Sequence, residues 1–535
     1  MEKNKKRGAY YTPIHVADFI YDHVLGYFSD KNIINILEPS VGDGVFVTSL
    51  HNATQFDSKK VFFTGIEKYI TELRKAKSKS QKKHNVKFNF LKGDFLTIQE
   101  TLKPKFQIIV GNPPFIKKDR LSKSLKAKCN FIHSTAGLSE KSVKNIWSSF
   151  LIRCSQLLDK DGVLAFILPS DFLQVKFSNE IRNYLTSQFD KIEIFTFNNL
   201  LFEKIGQDTI LLFCIKNTNK KGVFFEHISD FESLRTNNFI LKKKDSLSLA
   251  NLKWTHNVLS NEEINFLVHL QKKTKTISDY CTSKPGVVTA ANNYFIINSE
   301  IEKKFSLERY TKNIIKKGSY VNGKLSFTDE DIIHLSNLNK STKLITFRES
   351  DEQKFDKKIE EYLDLGIKLG INSRYKCQIR KSWFVIPNIG KPSDGFFFKR
   401  CHQYPKIIIN EAKVLATDSA YNIIMNENYS IENLIYSFYN SLTLIFSELQ
   451  GRYYGDGVLE LTPTEFKSLP IIYSSINVKD FNKFKDRFEN KKNIDDIFKV
   501  NDYEILSSSL NISSDEITKL HNIRHKLIRK RFHIS

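Results

Sequence analysis

The sequence predicts an α/β fold: a doubly wound, mostly parallel, Rossmann-like sheet with an antiparallel edge strand, followed by a mixed α+β region. Three observations predict it. Apolar strand-like runs alternate with helical stretches along the first part of the chain. Successive runs end in short turns carrying Gly, an acid or Asn. The alternation stops after about Asn217, where the turn-rich, charged NTNKKG marks a boundary.

The strand candidates are Ile33–Leu37, Val61–Ile66, Val86–Leu91, Phe106–Val110, Val163–Leu168, Ile192–Phe197 and Thr209–Ile215. Helical patterns run over Ile14–Tyr27 and Val143–Leu158. Only a loop, Asn198 to Asp208, separates the last two strands, so they are expected to pair antiparallel at one edge. Beyond the boundary, short strands and loops mix with basic stretches such as RYKCQIRKSWFVIP and KRCHQYPKIII. From about Asp515 to Phe532 the pattern is helical and strongly basic. The expected divisions are 1–220, 221–500 and a helical segment 501–535, in keeping with a chain of 535 residues.

Composition narrows the class. Hydrophobic residues make up 41%, enough for large cores and unlike a disordered chain. Lys and Arg number 82 against 59 Asp and Glu, a formal net charge of +23. That excess points to a polyanionic partner, because each neutralised phosphate releases counterions. The six Cys are scattered, with no CxxC pair or Cys/His cluster at zinc-ligand spacing, so buried free thiols in a reducing cytoplasm are expected and no metal is implied. Neither a signal peptide nor a membrane span is legible.

Four turns carry the chemistry. Glu38-Pro39-Ser-Val-Gly42-Asp-Gly44 follows the first strand and precedes a helix; its glycines permit a tight turn and a close ligand, and Glu38 can hold an ammonium group. Glu67 closes the second strand, where an acid can accept both hydroxyls of a ribose. Asp94-Phe95 follow the third strand and suit an adenine, the acid to its amino group and the ring to its face. Asn112-Pro113-Pro114-Phe115 follow the apolar FQIIVG; the prolines stiffen the backbone, so the Asn side-chain oxygen and a proline carbonyl can converge on one amino group. Phe115 offers a face for base stacking. Each of these is, alone, also what an ordinary strand-end turn contains. Four at four successive strand ends is a different matter, because a parallel sheet gathers those ends into one crevice.

The order GAYYTP, EPSVGDGVF, GIE, GDF, GNPPF resembles the gamma-type N6-adenine DNA methyltransferases of restriction–modification systems, the TaqI-like group, over about residues 8 to 215. GVVTAANNYF (286–295), RKSWFVIP (380–387) and GRYYGDGVLELTPTEFKSLP (451–470) are similar to the PstI/BsuBI-like branch. The resemblance implies a class I methyltransferase sheet with S-adenosylmethionine as cofactor and double-stranded DNA as partner. Tyr11, Thr12 and Pro13 then match the motif cradling the methionine part of the cofactor. Glu38, Pro39, Gly42 and Gly44 match the acid facing its amino group and the tight loop. Glu67 matches the ribose ligand, and Asp94 with Phe95 the adenine pair. Asn112, Pro113, Pro114 and Phe115 match the target-adenine motif, and Phe202 falls where the family sets a second aromatic against a flipped base. Residues 1–220 would be the catalytic domain and 221–500 the target-recognition domain, with Arg374, Arg380, Lys381, Lys399 and Arg400 as DNA-binding candidates.

The chain departs from the family at two places. Phe115 stands where Tyr is common, which keeps the stacking face and loses a hydroxyl. Asp456 replaces the second glycine of GGGVLEL. The implied protein is a monomer or weak dimer, cytoplasmic, and served by a separately encoded restriction endonuclease. The rival readings are an orphan epigenetic DNA adenine methyltransferase, RNA or protein-glutamine methylation, a non-catalytic DNA-binding subunit, and a fused nuclease built on Glu411-Ala-Lys413 with Asp394.

Overall fold

The computed structural model describes residues 12–532 apart from 81–82, 99–101, 103–104, 176, 198–208, 229–231, 237, 245–253, 255–257 and 455–456. Tyr11, Phe202 and Asp456 therefore lie outside the described residues. Two compact units divide the chain, 1–261 and 262–535.

The first unit is built on one nine-stranded sheet. Its elements, in chain order, are α1 (Ile14–Leu25), β1 (Ile33–Glu38), α2 (Val45–Asn52), β2 (Lys60–Glu67), α3 (Ile70–Lys79), β3 (Val86–Lys92) and β4 (Phe106–Gly111). There follow α4 (Lys123–Thr135), α5 (Ile146–Leu157), β5 (Leu158–Pro169), α6 (Ser178–Gln188), β6 (Lys191–Phe197), β7 (Thr209–Ile215), β8 (Gly222–Ile228) and β9 (Lys242–Lys244). The strand order is β3-β2-β1-β4-β5-β7-β6-β8-β9. Strands β3 to β5 are mutually parallel, and β7 runs antiparallel to both β5 and β6.

The order reverses between β1 and β4. From β1 the chain winds outward through β2 and β3, then returns to lay β4 on the other side. Ligands of such sheets bind at the strand carboxyl ends beside that switch. Helices cover both faces, so the strands read as continuous apolar runs. In β4, Ile108 and Val110 join the core that also holds α1, whereas Ile109 joins the core on the opposite face with α4 and α5.

All seven expected strands form, and the class I methyltransferase fold holds. The β6–β7 pair is not the sheet's edge, however. The NTNKKG turn carries the chain past β6 to β8, which pairs with β6 along its whole length, from Lys191↔Gly222 to Phe197↔Ile228. β9 then adds to β8, so the sheet runs past residue 220 to Lys244.

The second unit holds a five-stranded sheet of β10 (Cys281–Pro285), β11 (Ser326–Phe327), β12 (Gly395–Phe398), β13 (Lys406–Asn410) and β14 (Ala420–Met425), ordered β10-β14-β12-β13-β11. Smaller sheets surround it, with α7 (Lys357–Lys368), α8 (Ser441–Gln450) and the terminal α9 (Ser514–Arg531). The basic tail is thus a docked helix. Arg531, fully buried, meets the carboxylate of Glu448 on α8 (2.8 Å) and donates to the carbonyls of His402 and Gly457. All six cysteines are buried free thiols.

Candidate active site

Each turn at the switch places one functional side chain. After β1 the chain folds back so that Val41 N donates to Ile66 O (2.9 Å), and Gly42 turns with φ +57°. Gly44, at φ +85°, opens α2; a Cβ there would lie 2.7 Å from Ala76 Cα, so α2 and α3 can approach this closely only over a glycine.

Glu67, closing β2, ties the loops together. Its carboxylate accepts from Gly42 N (3.0 Å) and Tyr69 N (2.8 Å). Those contacts leave lone pairs for further donors, as a ribose diol would need. Asp94 caps the turn after β3, accepting from Leu96 N (3.1 Å), and pairs with Lys68 Nζ (3.0 Å). After β4, the Asn112 amide nitrogen donates to Thr12 Oγ1 (3.3 Å), which leaves its oxygen as the accepting end of that side chain. Ser40 Oγ donates to the Asn112 carbonyl (3.3 Å), joining the β1 and β4 turns.

These turns line one crevice. It gathers Thr12, Glu38, Pro39, Gly42, Glu67, Asp94, Phe95, Asn112 and Pro114 from the sequence-derived set. Pro13, Gly44, Pro113 and Phe115 adjoin it without lining it. Phe115 is half-buried against the core cluster that contains Leu37 and Leu164.

The crevice is acidic in a basic protein. Glu38 is only 1% exposed, and its Oε2 has no hydrogen-bond partner among the described residues. Burial, with the charges of Glu67 and Asp43 beside it, pushes its carboxyl well above the ordinary range; burial raises Glu67 too. Buried, clustered acids with an orphaned oxygen lower their energy by taking up a cation. An ammonium- and sulfonium-bearing ligand fits that donor set.

Sequence reasoning missed the opposite wall. Ile116, Leu125, Ile146 and Phe150 give an apolar slot beside Phe95, whose ring lies 5.0 Å from Phe150. Ile146 and Phe150 stand four apart on α5, the spacing of one helix face, but nothing local says which face meets a ligand.

The basic candidates lie in the second unit, and each described contact is internal. Arg374 donates to Ala290 O (2.9 Å), Arg380 to Thr289 O (2.8 Å), and Lys381 pairs with Glu349 (2.7 Å). Arg400 pairs with Glu460, whose short strand Leu459–Glu460 lies between Arg400–Cys401 and Arg452–Tyr453, and Lys399 is half-buried. Asp394 accepts from Met425 N (2.9 Å) and Glu411 meets Lys485 (3.4 Å). Among the described residues no acid, His or Cys cluster is arranged to hold a metal, and no helix is long and apolar enough to cross a membrane.

Comparison with known proteins follows the same division. Residues 30–202 match the Eco57I restriction-modification methylase family, and residues 251–506 match the C-terminal domain of Type II methyltransferase M.Eco57I. The Type II methyltransferase M.AccI of Acinetobacter calcoaceticus is 25% identical over 87% of this chain and 85% of its own length. M.BstVI of Geobacillus stearothermophilus is 24% identical over 59% of this chain and 65% of its own. Among solved structures, the Type IIL restriction-modification enzyme MmeI superposes with a TM-score of 0.57 at 12% identity, covering 97% of this chain and 72% of that one. The chain is thus similar along most of its length to the Eco57I-type restriction–modification methylases and to the Type II methyltransferases, and its cofactor is S-adenosylmethionine.

Proposed function

We propose that this protein transfers a methyl group from S-adenosylmethionine to the N6 amino group of an adenine flipped out of double-stranded DNA, as the modification enzyme of a type II restriction–modification system. The observation that carries this is Asn112-Pro113-Pro114-Phe115 at the end of β4, with Asn112 lining the crevice that holds Glu38, Glu67 and Asp94.

The residues divide the work by chemistry. Glu38 holds the ammonium of the methionine part, Glu67 the ribose hydroxyls, and Asp94 with Phe95 the adenine end, against the wall of Ile146 and Phe150. When bound, the cofactor supplies an electrophilic methyl group on a sulfonium. An adenine amine is a poor nucleophile, because its lone pair is delocalised into the ring. The Asn112 side-chain oxygen and the Pro113 carbonyl accept both amine hydrogens, draw the nitrogen towards a tetrahedral shape and aim its lone pair into the crevice. The rate gain is one of positioning, with no metal and no strong base, because the methylated nitrogen, cationic and strongly acidic, sheds its extra proton to water while the sulfur would leave as a neutral thioether. Phe115, joined by Phe202 from outside the described residues, replaces stacking lost on flipping. Residues of the second unit, Arg374, Arg380, Lys381, Lys399 and Arg400 among them, bind phosphates or base edges. The protein acts as a monomer or weak dimer beside a separately encoded endonuclease.

The test is incubation of the purified protein with deuteromethyl-labelled cofactor and duplex DNA, then nucleoside mass spectrometry. Labelled N6-methyldeoxyadenosine is expected. Label in methylcytosine, or only in RNA or protein glutamine offered alongside, would refute the assignment.

A further inference from the structure

The second unit carries an exposed apolar pair on a rigid basic mount. After α7 the chain turns at Gly370 (φ +67°) into a short helix, Tyr375–Gln378. Tyr375 is 75% exposed and Ile379, one turn on, is 68% exposed. Within Leu369 to Ser393 the sequence holds no acidic residue, and Arg374, Lys376, Arg380 and Lys381 flank the pair along the chain; Glu349, paired with Lys381, and Asp418 line the grooves beside it.

The mount is fixed from beneath. Cys377 is buried on the inner side of the short helix. Tyr294 and Tyr362 stack at 4.7 Å and exchange hydrogen bonds, each hydroxyl to the other's carbonyl. Trp383 packs on Tyr294 at 5.7 Å, and a Cβ on Gly366 would lie 2.3 Å from the Trp383 ring. Arg374 and Arg380 both donate to one turn, at Ala290 O and Thr289 O. Ala290 holds φ +68°, a left-handed conformation that costs a residue with a Cβ about 1–2 kcal/mol and persists where its surroundings enforce it.

Two large apolar side chains exposed on a stiff support and framed by cations are what a DNA wedge requires. The apolar tips replace stacking at an opened base step, and the cations take the flanking phosphates. We propose that Tyr375 and Ile379 enter a base step of duplex DNA, with Arg374 and Lys376 on the adjacent phosphates. This rests on the reading of the protein as a DNA methyltransferase and adds the element that deforms the duplex.

The experiment uses the full chain and relaxed closed-circular plasmid DNA. A side chain inserted into the stack unwinds the helix, which appears as a linking-number change after treatment with topoisomerase. The wild-type protein is expected to methylate the plasmid and to unwind it. The double variant Tyr375→Ala/Ile379→Ala loses the unwinding and methylates about tenfold more slowly, the size expected for lost stacking. Its cofactor affinity and melting temperature stay unchanged, and Tyr375→Phe keeps both activities. If the double variant unwinds and methylates like the wild type, the wedge is overturned while the methyltransferase reading stands. If the variant's only change is loss of self-association, the patch is a protein interface and the proposal is likewise overturned. If the wild type methylates no DNA, both fall together.

Discussion

At the residue scale two side chains, Asn112 and Glu38, carry the chemistry of methyl transfer and cofactor binding. Asn112 is tied by its nitrogen to Thr12. Asn112→Ala removes the accepting oxygen and is expected to lower the methylation rate about a hundred- to a thousandfold, the range for deleting one preorganised polar contact. Cofactor affinity, read by calorimetry, should change far less. Glu38 makes a pH prediction. Burial, then Glu67 and Asp43, raise its pKa well above the usual range. To hold an ammonium it must lose its proton, so cofactor affinity should rise with pH through that raised value. The rise should stop near pH 8, where an α-amino group itself deprotonates. Binding at a pH below that raised value should therefore release a proton, visible as a buffer-dependent heat. Glu38→Gln should abolish that release and weaken binding at least about thirtyfold, since the ammonium loses its buried counter-charge. Unchanged heats in both proteins would remove Glu38 from the cofactor site.

These residues were legible because a parallel sheet turns sequence order into spatial order. Glu38, Glu67, Asp94 and Asn112 are far apart in the chain, yet each ends a strand or stands just beyond one, so reading four strand ends was enough to bring them together. The wall residues Ile146 and Phe150 had no such marker. An apolar residue on a helix looks alike in sequence whether it faces a core or a ligand.

At the element scale, α1 links the start of the site to the sheet. Thr12 lies just before it, and near its other end His23 and Tyr27 reach Glu193 on β6 (2.5 and 2.8 Å), which also pairs with Lys191. Burial alone would raise the Glu193 carboxyl; His23 and Lys191 outweigh it and hold it down at about 2. A depressed pKa means that this stabilisation is present above the unfolded carboxyl's pKa of about 4.5 and is lost as pH falls towards the folded value. Glu193→Gln leaves Lys191 without its buried counter-charge and should cost about 3–5 kcal/mol at neutral pH, measured by urea unfolding. The gap from wild type should narrow below about pH 4.5. A pH-independent gap would mean that packing, not charge, holds α1.

Most long elements declared themselves and short ones did not, although the seven-residue β8, just past the charged NTNKKG turn, went unread. Strands β1 to β7 run six residues or more with apolar cores, so periodicity exposed them. β9 is three lysines, legible only through its pairing to β8. In the second unit, β11 has two residues and pairs with β13 some eighty residues on, a long-range choice that no local window contains.

At the scale of the whole molecule, a chain of net charge +23 carries an acidic cofactor crevice. The separation suits a protein that takes a cationic cofactor and a polyanionic substrate. DNA affinity should fall about a hundredfold or more between roughly 50 and 200 mM salt, because several phosphates are neutralised on binding. Cofactor affinity should move little over that range, since buried pairs are weakly screened. A flat DNA-binding curve would show that the positive charge is not the DNA footprint.

The most direct test of the central claim is to express the chain in a methylation-free bacterial host, beside Asn112→Ala, and to map N6-methyladenine by single-molecule sequencing. The account predicts adenine methylation at one short sequence motif in the first strain and none in the second. Modified adenine absent from both strains, or equally present in both, would contradict it.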